Sequence, residues 1–346
     1  MITALALLGY AACAAWCVPA LLAPLTRRGA SVRAGLAAWL TAMASVLASA
    51  AIAIELSFRT VAADWPQLTR VLCRSVAGGA CTPAVYRSAL YEGGVAALAI
   101  VATLLSAVAL WRYARRVQRS RAQTRSHART ALLVGQAIAG ATAADAAGSA
   151  AAGLAASAAK PARPVGGART VMLDDPRPAA YCVAGRPAAI VVTSGALAVL
   201  DPPQLRAVLA HESAHLAHRH HALATVTRGL AAAFPGVPLF TRGAAEVARL
   251  TEMAADDTAA RASGRPALVT ALIAIATGAA VSSTGSLGAA VPAGAMAAAA
   301  RAVRDRVERL LRPSSPARSA AFAAALTLTL AALAAAPPAL TLLLTR

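Results

Sequence analysis

The chain has 346 residues, of which 58% are hydrophobic, 4% aromatic and 14% charged, and its 33 Lys and Arg against 14 Asp and Glu give a net charge of +19. A composition this apolar and this poor in charge excludes an ordinary water-soluble globule and points to a membrane protein. The basic excess alone would suit nucleic acid, but the arginines cluster beside apolar runs and no nucleic-acid motif accompanies them; anionic lipid headgroups are therefore the expected partner, and direct nucleic-acid binding is not expected.

Four apolar runs approach the roughly 20 residues needed to cross a hydrocarbon core: 2–25, 34–58, 94–110 and 319–344. The first lacks the basic start of a secretory signal and is long for one, so it reads as a span. Trp111 and Tyr113 follow the third as rings suited to headgroup depth. Pro337 and Pro338 are expected to kink the fourth. Arg27, Arg28 and Arg33 place the first connection in the cytoplasm, because basic short loops are retained there. The next connection, at about 59–93, is then extracellular, where Cys73 and Cys81 are candidates for a disulfide. Arg-rich runs from Arg112 to Arg129 and from Arg301 to Arg318 flank the long central region and make it cytoplasmic.

The domain plan that follows is three transmembrane helices in 1–111, a cytoplasmic catalytic domain in 112–318, and a fourth transmembrane helix in 319–346. Within the central region, 139–165 is an Ala-rich linker, closed by Lys160, Pro161 and Pro164. Short apolar runs at 171–173, 179–183 and 188–193, separated by turn residues, predict a small sheet. Asp201 as N-cap with Pro202 at the first helical position then starts a helix that runs to about His218, its apolar face formed by Leu205, Val208, Leu209 and Leu216.

That helix carries His211-Glu212-Ser213-Ala214-His215, an HExxH pattern. Histidines four apart on a helix share one face, one turn apart, and can bind a single ion, while the intervening Glu can accept a proton from water at that ion. His211 and His215 are thus candidate zinc ligands and Glu212 the candidate general base. Two residues compete for third ligand. His221 has the spacing of an extended three-histidine pattern, but that pattern places Gly where this chain has His218, at a sharp turn. Glu252 stands four residues before Asp256, so one helix face presents both carboxylates, one to ligate zinc and one to orient a ligand imidazole. Geometry favours Glu252. Three of the chain's 14 acidic residues, Glu252, Asp256 and Asp257, fall in this short stretch.

An HExxH motif followed by a second helix bearing Glu252 and Asp256 resembles the membrane-embedded gluzincin metallopeptidases, namely the BlaR/MecR-type sensor peptidases and, more distantly, HtpX and the CAAX prenyl endopeptidases. The resemblance spans about 171–313 and includes Val208-Leu209-Ala210, Phe234-Pro235 and the segment 306–313. It implies a mainly α membrane protein with a zincin-like α+β catalytic domain between the third and fourth spans. It also implies zinc on His211, His215 and Glu252, catalysis by Glu212, support by Asp256, and a protein substrate such as a cytoplasmic repressor. Three spans before the domain and one after match the BlaR/MecR plan better than the HtpX plan. No large penicillin-binding sensor domain follows the last span, so direct beta-lactam sensing is not expected. An HtpX-like quality-control protease and a non-catalytic membrane scaffold are the competing readings. Strand addition of substrate near 179–183 and oxyanion stabilisation by Tyr181 or Arg261 complete the expectations.

Overall fold

The computed structural model describes residues 2–27, 31–76, 83–134, 136–137, 168–185, 188–284, 293–312 and 316–344. Three long helices come first: α1 (Ile2–Arg27), α2 (Val32–Val76) and α3 (Pro83–Val134). Four strands follow: β1 (Gln136–Ala137), β2 (Arg169–Leu173), β3 (Ala180–Val183) and β4 (Ala189–Thr193). The remaining helices are α4 (Ser194–Val199), α5 (Pro202–Ala217), α6 (His220–Ala233), α7 (Pro238–Ser263), α8 (Arg265–Thr284), α9 (Ala293–Leu311) and α10 (Pro316–Leu344).

Among the described residues, three helical stretches are long and apolar enough to cross a membrane: Ile2–Thr26 in α1, Val32–Thr60 in α2 and Ala320–Leu343 in α10. The run expected as a further span, 94–110, lies inside α3, where Ile100, Leu104, Leu105, Val108 and Leu110 are all exposed. The connection at 59–93 is mostly helical, since α2 continues to Val76 and α3 begins at Pro83. The side chains of Cys73 and Cys81 and the linker 139–165 lie outside the described residues.

The prolines of α10 have a definite consequence. Pro337 has no N–H to give to the carbonyl of Leu333 one turn earlier. That oxygen accepts instead from Ser45 Oγ on α2 at 2.6 Å and from Tyr10 OH on α1 at 3.3 Å, and the two hydroxyls lie 2.8 Å apart. Apolar surroundings cannot hydrate a freed carbonyl, so a partner from a neighbouring helix is the stable solution. Three helices are tied together at one backbone oxygen.

The sheet has the order β1-β2-β4-β3, with β2 and β4 parallel and the outer pairings antiparallel. Every residue of β4 is buried, as suits a strand covered on both faces. On one face Ile190 and Val192 pack with Leu205, Val208 and Leu209 of α5 and Ala271 of α8. On the other, Val171, Val183 and Val191 pack with Tyr181. α5 begins at the predicted place: Asp201 accepts from the Gln204 N–H at 2.8 Å and the Gln204 side chain accepts from the Asp201 N–H at 3.0 Å. Such reciprocal capping satisfies two N–H groups that the first helical turn leaves unpaired.

The hairpin of α6 and α7 does not belong to a separate globule. Leu239, Phe240, Val247, Leu250 and Met253 share one buried core with Leu22 of α1, Trp39, Met43 and Val46 of α2, and Leu326 of α10. Gly243 makes this approach feasible, because a Cβ there would run into the Met43 methyl group and lie 3.1 Å from the Trp39 ring. Small residues let helix backbones close on one another in this way. One end of α7 is therefore fixed by the apolar helices and the other reaches the polar cluster described next.

Candidate metal centre

Two helices build the site. α5 supplies His211 and His215 from one face, and α7, packed along α5, supplies Glu252 and Asp256. His211 Nε2 lies 3.1 Å from His215 Nε2 and 3.4 Å from Glu252 Oε2, and His215 Nε2 lies 3.5 Å from Glu252 Oε1. One donor atom from each of the three residues lies within 4.8 Å of the others.

This donor set fits zinc. Ligand bonds of about 2.0–2.2 Å arranged tetrahedrally put neighbouring donors about 3.3–3.6 Å apart, close to the spacings found. Two imidazole nitrogens and a carboxylate oxygen are also zinc's habitual ligands. His221, the competing third ligand, is exposed at the start of α6, whereas Glu252 joins the cluster.

The shell behind the ligands is equally defined. Asp256 is fully buried and its Oδ1 lies 3.1 Å from His211 Nδ1, although not aligned as a hydrogen bond. Burial opposes a proton on His211, but Asp256 and Glu252 outweigh it and raise its pKa to about 9. The carboxylates would pull on any cation at that ring in the same sense. At His215 burial outweighs the Glu252 charge and lowers the pKa to about 4. A neutral imidazole is the form that ligates a metal.

His220 of α6 also reaches the cluster. α5 ends at His218, and Arg219 adopts a left-handed conformation, φ 52°, rarely taken by a residue with a side chain. The chain turns there despite the lack of Gly. This turn leaves His221 outside and brings His220 inward, with its Nδ1 3.2 Å from His215 Nδ1. Burial, followed by the neighbouring His215, lowers the His220 pKa to about 4.

Glu212 is partly buried on α5. Burial raises its pKa, and the charge on Glu252 adds to the rise while His211 opposes it. Its neighbour across the sheet edge is Cys182 of β3, whose thiol is pushed up to about 12 by burial and by the Glu212 charge. Tyr181, adjacent on the strand, faces the opposite side of the sheet with Val171 and Val191. Arg261 donates to Thr258 on its own helix at 3.2 Å. Neither Tyr181 nor Arg261 is brought to the cluster.

Arg306 of α9 is brought there. Its Nε donates to Asp256 Oδ2 at 2.8 Å and its Nη2 to Asp256 Oδ1 at 2.6 Å. Nη1 lies 3.3 Å from Glu252 Oε2, and Nη2 lies 3.4 Å from His211 Nε2. In the sequence it is one arginine of a basic run, and nothing local marks it out from Arg309, which pairs with Asp257 at 2.8 Å.

The chain is similar in sequence to known peptidases. Residues 141–313 match the profile described as peptidase family M48. A "Protease HtpX homolog" of Acidiphilium cryptum is 42% identical over 67 residues, covering 19% of this chain and 23% of that protein. Proteins with the same description from Burkholderia thailandensis and Ralstonia pickettii are each 34% identical over 74 residues, covering 21% of this chain and 26% of theirs. The chain thus spans about a quarter of the length of the curated relatives it matches. No solved structure gives a significant match.

Proposed function

Because the chain belongs to peptidase family M48, a family of metallopeptidases, we propose that it is a zinc-dependent endopeptidase of the cell membrane, acting on a protein substrate at the cytoplasmic face. The observation that carries this reading is the meeting of His211, His215 and Glu252 from two separate helices. His211, His215 and Glu252 hold the metal, and Asp256 orients His211. Bound there, zinc would acidify a water molecule and polarise the scissile carbonyl.

The protein's own groups account for the rest. Glu212 takes a proton from the attacking water and returns it to the departing amine. A carboxylate whose pKa is raised by burial and by a like charge is suited to both transfers. Among the described residues β3 is an outer strand of the sheet, and an extended peptide would add along it, beside α5. The exposed apolar side chains of α3 at 100–110 are consistent with a fourth membrane span, and the Arg-rich flanks with a cytoplasmic catalytic domain.

Two physiological roles share this chemistry. Similarity to HtpX homologs favours a general protease of the HtpX type. Two apolar helices and the apolar run 94–110 before the site, with one apolar helix after it, favour regulatory proteolysis of the BlaR/MecR type, with a repressor as substrate. Glu212→Gln tests the enzyme assignment directly. The variant is expected to keep zinc and lose cleavage by about 10²–10⁴-fold. Normal cleavage by the variant would remove Glu212 as base. A survey of cellular protein termini with wild type and this variant separates the roles, one or a few differing cut sites indicating regulation and many indicating general degradation.

A further inference from the structure

We propose that Arg306 is a positioning residue of the metal centre: from α9 it clamps Asp256 and neutralises Glu252, holding the donor cluster ready for the ion. The proposal rests on the metallopeptidase reading above and adds a residue outside both ligand-bearing helices.

The contacts set the role. Asp256 is 1% exposed in its side chain and sits behind His211. A carboxylate so buried is costly unless it is paired, and its partner must also leave an oxygen facing the imidazole. Arg306 meets both needs. Its planar fork grips the two oxygens of Asp256 at 2.8 and 2.6 Å, and Oδ1 also faces His211 Nδ1 at 3.1 Å. A bidentate guanidinium fixes the plane of a carboxylate as a single ammonium cannot. The remaining arm, Nη1, lies 3.3 Å from Glu252 Oε2. One side chain therefore sets the orientation of a ligand and of the group behind another ligand.

Simple helix docking does not require this arrangement. One turn further along α9, Arg309 pairs with Asp257, and both of those side chains are more exposed than the Arg306 and Asp256 pair. That second pair joins α9 to α7 without touching the cluster and supplies an internal control. A purely electrostatic role predicts the opposite sign from positioning. A cation 3.4 Å from His211 Nε2 repels a metal ion, so its removal alone would tighten binding. Positioning predicts weaker binding.

The test uses the full-length chain in lipid nanodiscs, with zinc affinity measured by competition against a chelator of known strength. Arg306→Gln is expected to weaken zinc binding about 10–100-fold, the range seen when groups supporting a metal ligand are removed. Arg306→Lys, which keeps the charge and loses the fork, is expected to fall between it and wild type. Arg309→Gln is expected to stay within about twofold of wild type, as a partly exposed pair away from the cluster. In an Asp256→Asn background, Arg306→Gln should add less than about threefold, because the two residues act as a unit. Unchanged or tighter zinc binding in Arg306→Gln overturns the proposal, as does equal weakening in Arg309→Gln. If the wild-type chain itself takes up no zinc, it is the metallopeptidase reading that fails.

Discussion

His215 touches two other imidazoles, His211 through Nε2 and His220 through Nδ1. The contact with His220 fixes which ring nitrogen of His215 faces the cluster, a constraint commonly set by the group behind a ligand. His220→Ala is therefore expected to weaken zinc retention about tenfold. His221→Ala, which alters an exposed residue, is expected to leave retention unchanged, with dialysis against a graded chelator as the measurement. The same comparison explains what the sequence could and could not reveal. His211, His215 and Glu212 were legible because helical spacing is a local property, and Glu252 with Asp256 for the same reason. The inward placement of His220 depends instead on the left-handed backbone of Arg219. No spacing rule anticipates a non-glycine residue in that conformation. Arg306 was hidden differently, since its partners lie 50 and 54 residues away along the chain.

Helices in this protein are joined by features that are individually small. The freed carbonyl of Leu333 holds α10 to α1 and α2 through Tyr10 and Ser45. Removing both hydroxyls with Tyr10→Phe and Ser45→Ala should lower stability in mild detergent by about 1–2 kcal/mol, read as an earlier loss of helical signal on denaturation. Either single change should cost less, because the oxygen keeps one donor. Gly243 has the complementary role at the α2 and α7 contact. Gly243→Leu must displace Met43 and Trp39, and overpacking of this kind costs about 1–3 kcal/mol. The apolar runs and the proline pair were readable as elements. Their partners were not, because Tyr10 and Ser45 look like ordinary polar residues within apolar segments until α10 is placed beside them.

At the scale of the whole molecule, α7 joins the apolar helices to the metal centre. Leu239 to Met253 contribute to the core shared with α1, α2 and α10, while Glu252 and Asp256 on the same helix face α5. Along the chain, Arg-rich segments lie between the apolar runs and the two helices that carry the cluster. Packing joins them, because Phe240, Val247 and Leu250 bury their side chains among Trp39, Met43 and neighbouring apolar groups. A centre held so close to the spans should favour substrates confined to the same surface. In proteoliposomes, a reporter peptide tethered to lipid is expected to be cut faster than the same peptide free in solution. Equal rates at matched bulk concentration would contradict that expectation.

The central claim is that α5 and α7 together hold a metal ion, and elemental analysis of purified protein tests it most directly. Wild type and Glu212→Gln are each predicted to carry about one zinc per chain, as three protein ligands with an open position allow, while Glu252→Ala loses it. Zinc absent from the wild type, or retained in full by Glu252→Ala, would contradict the account.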